Sequence, residues 1–92
     1  MSKYTEITLK TDDMSVTFTV YTRQPARVCG LTTPGESVKF RGAEAYIKAR
    51  EFLHCLGLAQ ANVVTGVLME YALSSESYGT EGNLTLTVSL FD

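Results

Sequence analysis

Ninety-two residues, with 45% hydrophobic and 10% aromatic content, no low-complexity tract and a formal net charge of −2, describe one ordered domain. It lies near the lower end of the size range that folds without metal or disulfide staples. This composition excludes an intrinsically disordered chain and a uniformly basic nucleic-acid binder, and two cysteines, Cys29 and Cys55, are too few for a disulfide framework.

The opening, Met1-Ser2-Lys3-Tyr4-Thr5-Glu6, lacks the apolar run of a secretory signal, and no stretch approaches the roughly 20 apolar residues that cross a bilayer. The expectation is a soluble intracellular protein. Ile7 and Leu9 then alternate with Glu6, Thr8 and Lys10. After Thr11-Asp12-Asp13 the alternation resumes as Met14, Val16, Phe18 and Val20 against Ser15, Thr17, Thr19 and Tyr21. This pattern predicts two half-buried strands joined by a tight turn, with the paired aspartates read as turn chemistry rather than as ligands.

From Thr22 to Arg41 periodicity fails, and Gln24-Pro25, Cys29-Gly30 and Pro34-Gly35 punctuate a long connection. Thr33-Pro34-Gly35-Glu36 has the outline of a capping box, but Gly35 and the alternating Val38 and Phe40 favour a Pro-Gly turn followed by a short strand. A helix is predicted from about Gly42 to Leu56, because Ala45, Tyr46, Ala49, Phe52, Leu53 and Leu56 recur on one stripe. Gly57 followed by Leu58 reads as a left-handed C-terminal cap.

The segment 63–73 is rich in apolar residues and interrupted by Gly66, which fits either a central strand or a second helix. The β-branched Val63 and Val64, and the polar run Ser74–Asn83 read as a hairpin loop, favour the strand. Leu84, Leu86, Val88 and Leu90 alternate with Thr85, Thr87 and Ser89 in a final strand. The expected fold is α+β: a two-layer ββαββ arrangement, a four-stranded antiparallel sheet with one helix packed on one face. The edge strands of such a sheet leave the oligomeric state open.

Catalytic and metal signatures are weak. His54 is the sole histidine and adjoins Cys55, so on a helix the two side chains diverge by about 100° and form no dyad. Cys29, His54 and Cys55 offer at most three ligands from two regions, and no glycine-rich phosphate loop is present. No catalytic residue, metal or cofactor is assigned.

Charge is the more informative signal. Between Arg23 and Arg50, six cations stand against Glu36 and Glu44, a local net of +4, whereas the residues before this stretch sum to −1 and Glu51, Glu70, Glu76, Glu81 and Asp92 after it to −5. Such a two-signed domain suits docking, with cations for phosphates and acids for a basic partner, although loop charges also serve solubility alone. The candidate contact residues are Arg23, Arg27, Lys39, Arg41 and Lys48, with Glu76 and Glu81 on the acidic side. An alternative is a free-standing single-stranded RNA or DNA module with Tyr21, Phe40 or Tyr46 as stacking platforms. A small-molecule enzyme is the least supported class.

The opening Met1-Ser2-Lys3-Tyr4-Thr5-Glu6-Ile7-Thr8-Leu9-Lys10, the helix Gly42-Ala43-Glu44-Ala45-Tyr46-Ile47-Lys48-Ala49-Arg50-Glu51-Phe52-Leu53 and the strand-rich ends resemble a phage-encoded anti-CRISPR protein. The likeness is to the type I-F inhibitors that bind the RNA-guided surveillance complex, and it extends over the whole chain. It implies a stoichiometric, non-enzymatic inhibitor in the host bacterial cytoplasm. Such a protein docks on the backbone subunits around the guide RNA and keeps target DNA from pairing; the basic loop, read from its charge rather than from the likeness, would engage the guide's phosphates. The likeness implies no cofactor, membrane or small-molecule substrate.

Overall fold

In the computed structural model, which describes residues 3–78 and 83–92, the first hairpin forms as its alternation predicts. β1 (Tyr4–Lys10) pairs antiparallel with β2 (Ser15–Val20), with Ile7 opposite Phe18 and Leu9 opposite Val16. The turn between them is closed by Thr11, not by the aspartates: the Thr11 hydroxyl accepts hydrogen bonds from the Asp13 and Met14 amides at 3.4 and 3.1 Å.

The connection that follows contains a short helix that the sequence reading did not anticipate, α1 (Gln24–Val28), with Pro25 in its first turn. Proline fits there because its missing N–H lies where a helix has no acceptor to offer. The Pro34-Gly35 turn is present as expected: the Glu36 amide donates to the Thr33 carbonyl at 3.1 Å and Gly35 takes φ +96°. That combination is the type II geometry, which favours glycine at its third position. β3 (Ser37–Arg41) follows, and Gly42, at φ 63°, turns the chain sharply into α2 (Ala43–Phe52) and the 3₁₀ turn Leu53–Cys55.

Residues 63–73 are helical, not a strand. They lie within α3 (Leu58–Tyr78), which also absorbs the start of the polar run expected as a hairpin loop; residues 79–82 of that run lie outside the described residues. Val64, Val67, Leu68 and Tyr71 are buried at helical spacing. Gly57 caps the beginning of this helix rather than ending the previous one in a left-handed conformation. Its carbonyl accepts from the Ala61 amide, and its own amide donates to Gln60 Oε1 at 3.1 Å, the glutamine half of a capping box.

β4 (Thr85–Phe91) inserts between β1 and β3, so the sheet is four-stranded and antiparallel throughout, in the order β2-β1-β4-β3. The expected two-layer α+β architecture is therefore observed. Its fourth strand is the short one expected after Pro34-Gly35, Ser37–Arg41, which the ββαββ order had left out, rather than 63–73, and the chain order is ββαβααβ.

One core joins the layers. Ile7, Leu9, Phe18, Val20, Leu84, Leu86, Val88 and Leu90 supply the sheet side. Ala26, Ala45, Ala49, Phe52, Val64, Val67, Leu68 and Tyr71 supply the helical side. Because strand residues alternate between faces, every inward apolar residue puts a neighbour on the opposite face. No described helix packs on that opposite face. Among the described residues no helix is long and apolar enough to cross a membrane.

Candidate interface on the open sheet face

Strand register fixes what this uncovered face presents. Rows run across it as Ser15, Lys10, Thr85, Arg41, then Thr17, Thr8, Thr87, Lys39, then Thr19, Glu6, Ser89, Ser37. Lys10, Lys39 and Arg41 are exposed and share one corner. Lys39 and Arg41 are two residues apart on β3, about 6.6 Å, and β4 alone separates Arg41 from Lys10, about 9.6 Å at two strand spacings. None of the three forms an ion pair with a described residue; the Lys48–Glu51 pair, at 3.4 Å, lies on α2 in the helical layer. The hairpin acids Asp12 and Asp13 are exposed just beyond Lys10 and limit the positive corner on that side.

Hydroxyls fill the middle of the face. Thr8 and Thr17 share a hydrogen bond at 3.1 Å, and Thr85 Oγ1 donates to the Lys10 carbonyl at 3.4 Å. At the far end, Tyr4 stacks on Phe91 with ring centroids 5.3 Å apart and lies 6.5 Å from Tyr21, which is 77% exposed. Cations, hydroxyls and aromatic rings thus occupy successive zones along about 20 Å, the length from Tyr4 to Lys10.

The fold divides the basic stretch between layers. Lys39 and Arg41 reach the open face, where Lys10 joins them. Arg23 and Arg27 belong to α1, whose Ala26 is buried in the core, so they stand on the helical side. Arg23 caps that helix and is half-buried, and its Nε has no hydrogen-bond partner among the described residues. Lys48 has a packing role: its Nζ pairs with Glu51 and lies 5.9 Å from the centre of the Phe40 ring. Glu76 is in α3, but its side chain lies outside the described residues, as does Glu81 altogether.

Of the three suggested stacking residues, only Tyr21 faces solvent on the sheet. Phe40 points inward against the core, and Tyr46 packs against Tyr71 at 5.8 Å with Arg50 over its ring. Tyr4, Phe91 and Lys10 are the residues that the sequence reading missed. Their signal was the alternation itself, since each falls on the polar phase of its strand.

Little else converges. Among the described residues no three His, Cys, Asp or Glu side chains gather as a metal site. His54 is exposed while Cys55 packs partly against the core. A shallow polar depression lined by Thr11, Asp13, Glu70, Tyr71, Ser74 and Asn83 lies between the first hairpin turn and α3. Burial pushes the Cys29 thiol above its ordinary pKa, with Lys48 opposing and Glu51 reinforcing the shift. Glu36 is held below the usual carboxylate range by the Thr33 amide, aided by the Thr33 side chain and the Thr32 amide. In comparisons with known proteins, no family model, curated protein or solved structure matches the chain.

Proposed function

We propose that the protein acts by docking rather than by chemistry, as a stoichiometric anti-CRISPR inhibitor that binds a type I-F RNA-guided surveillance complex in the bacterial cytoplasm and blocks target DNA. The observation that supports this reading best is the corner of Lys10, Lys39 and Arg41 on a sheet face that no described element covers. A surveillance complex holds the guide by its backbone in a positively charged channel. A protein competing with DNA there meets guide phosphates and the channel's own cations. The open corner suits the phosphates. The exposed acids Asp12, Asp13 and Glu44 suit the cations.

Masking a few phosphate sites is enough for such an inhibitor, because DNA affinity is built from many salt-sensitive contacts that add logarithmically. The test is a gel shift of labelled double-stranded target DNA with a purified type I-F complex, with and without the protein, beside a lane of protein with free guide RNA. Loss of the DNA shift without binding to free RNA supports the inhibitor. An unchanged DNA shift refutes it.

A second reading has its own observation. Tyr4, Tyr21 and Phe91 share the open face with the cations, an arrangement in which single-stranded bases stack while phosphates are paired. A free-standing RNA or DNA module predicts a shift of the free RNA lane, and the same gel separates the two.

A further inference from the structure

α3 carries no lysine or arginine and is apolar on both sides. Its inner stripe is core, yet Val63, Met69 and Leu73 on the opposite side are 42%, 59% and 60% exposed. A surface helix normally keeps its outer side polar, and here three large apolar residues stand there among Asn62, Thr65 and Glu70. Gly66 sits at the centre of this outer stripe, where an added Cβ would meet nothing within 4 Å. The protomer's own packing therefore does not require a glycine there, although glycine weakens a helix interior relative to alanine.

We propose that the outer face of α3 is a homodimer interface, in which two copies pack their α3 helices antiparallel about a two-fold axis at Gly66. The stripe is complementary to its own reversal. Positions equidistant from Gly66 face each other in such a pair, so Val63 meets Met69 of the second copy, and Ala59 meets Leu73, small against large. The two polar residues of the stripe, Asn62 and Glu70, are each four residues from Gly66, so the Asn62 amide donates to the Glu70 carboxylate across the interface, twice by symmetry. Glycine at the crossing point lets the axes approach closely, toward the lower end of the 8–10 Å range of packed helices.

Other occupants fit less well. Helices that lie on anionic membranes carry lysine and arginine along their polar flanks, and α3 has neither. A basic partner would find only Glu70 on the stripe. The strip from Ala59 to Leu73 is about 21 Å long and about 10 Å wide, less than the ~800 Å² per partner of a standard interface. The dimer is accordingly weak and populated only at high protein concentration.

Sedimentation equilibrium on the full chain tests this. The expected mass rises from 10.1 kDa toward twice that value with concentration, and Leu73→Glu abolishes the rise while leaving the circular dichroism spectrum intact. Gly66→Ala is expected to act in opposite directions: it raises the unfolding midpoint of dilute protein by about 4–8 °C and weakens association at least about tenfold. The geometry is tested in a Cys29→Ser, Cys55→Ser background. Gly66→Cys crosslinks to a dimer on oxidation. Ala59→Cys does not, because its two copies lie about 21 Å apart along the pair, beyond disulfide reach. A mass fixed at 10.1 kDa up to about 1 mM, equal crosslinking by Ala59→Cys, or undiminished association of Gly66→Ala overturns the proposal. So does recovery of the protein on phosphatidylserine vesicles with loss of self-association.

Discussion

Reversing Lys39 and Arg41 together is the sharpest perturbation of the open-face reading. Both side chains are exposed, both face threonines across the ladder (Thr87 and Thr85), and neither has an ion-pair partner among the described residues. Lys39→Glu with Arg41→Glu should therefore move stability by no more than about 0.5 kcal/mol. The nearest cation on this face, Lys10, is about 9.6 Å from Arg41, comparable with the ~8 Å Debye length at physiological salt, so it neither rescues nor collapses the corner. Three phosphate contacts predict a log–log salt slope of about −2 on single-stranded RNA, and removing two leaves about −0.7. At about 1 kcal/mol per exposed contact, the loss is about 30-fold in affinity before repulsion is added. The assay is competition against fluorescently labelled target DNA on the surveillance complex at about 50 and 200 mM salt, with thermal unfolding as the fold control. Arg27→Glu, on the helical side, serves as the internal comparison and should leave inhibition within about twofold. A folded double variant that inhibits as well as the parent refutes the assignment, as does an equal loss in Arg27→Glu.

Three other outcomes follow from the packing and the titrating groups. Phe52, 2% exposed at the end of α2, should cost about 3–5 kcal/mol when changed to alanine, read by urea denaturation; a loss under about 1 kcal/mol would remove it from the core. Glu36 has a folded-state pKa below its unfolded value of about 4.3, so its contribution to stability is present above that pH and lost as pH falls through the folded value. An NMR titration of its carboxyl should show a midpoint below that of free glutamate, and Glu36→Gln should flatten the fall of the melting temperature between about pH 5 and 3; a midpoint at or above 4.3 contradicts the turn geometry. The Cys29 thiol is raised by burial, so its alkylation midpoint should lie above the ordinary ~8.5. Lys48→Met should move it further up and Glu51→Gln back down, mapped by mass spectrometry. The reverse order would contradict the placement of α1 against α2.

What the sequence disclosed depended on whether each element was half-exposed to water. β1, β2 and β4 carry threonine and serine on one phase and aliphatic residues on the other, so period two was plain in the chain. α2 shows its stripe because Glu44, Lys48 and Glu51 mark the wet side. α1 escaped notice because five residues give too little periodicity to read. The basic stretch was visible as composition, but its division into an open-face pair and a helical-side pair is a property of register: Lys39 and Arg41 share a phase of β3, while Arg23 and Arg27 follow the chain over the opposite layer. Linear charge clustering carried no information about which layer each residue would join.

The misreading of α3 and the inference drawn from it have one cause. A helix reveals itself in sequence when its outer positions are polar, and α3 places Val63, Met69 and Leu73 where charges usually stand. With apolar residues on every side, β-branched Val63 and Val64 near its start and Gly66 in the middle, the segment satisfied the criteria for a buried strand. The segment is a helix with one buried side, and its apolar content exceeds what that one side needs. The protomer buries Val64, Val67, Leu68 and Tyr71 and leaves the rest to water. A second copy presenting the same stripe in reverse would cover these outer apolar residues as well. Gly66 then has a reason that the isolated protomer does not supply, and the opposite signs expected for Gly66→Ala, tighter folding with weaker pairing, are the consequence that separates this account from a helix that is merely greasy.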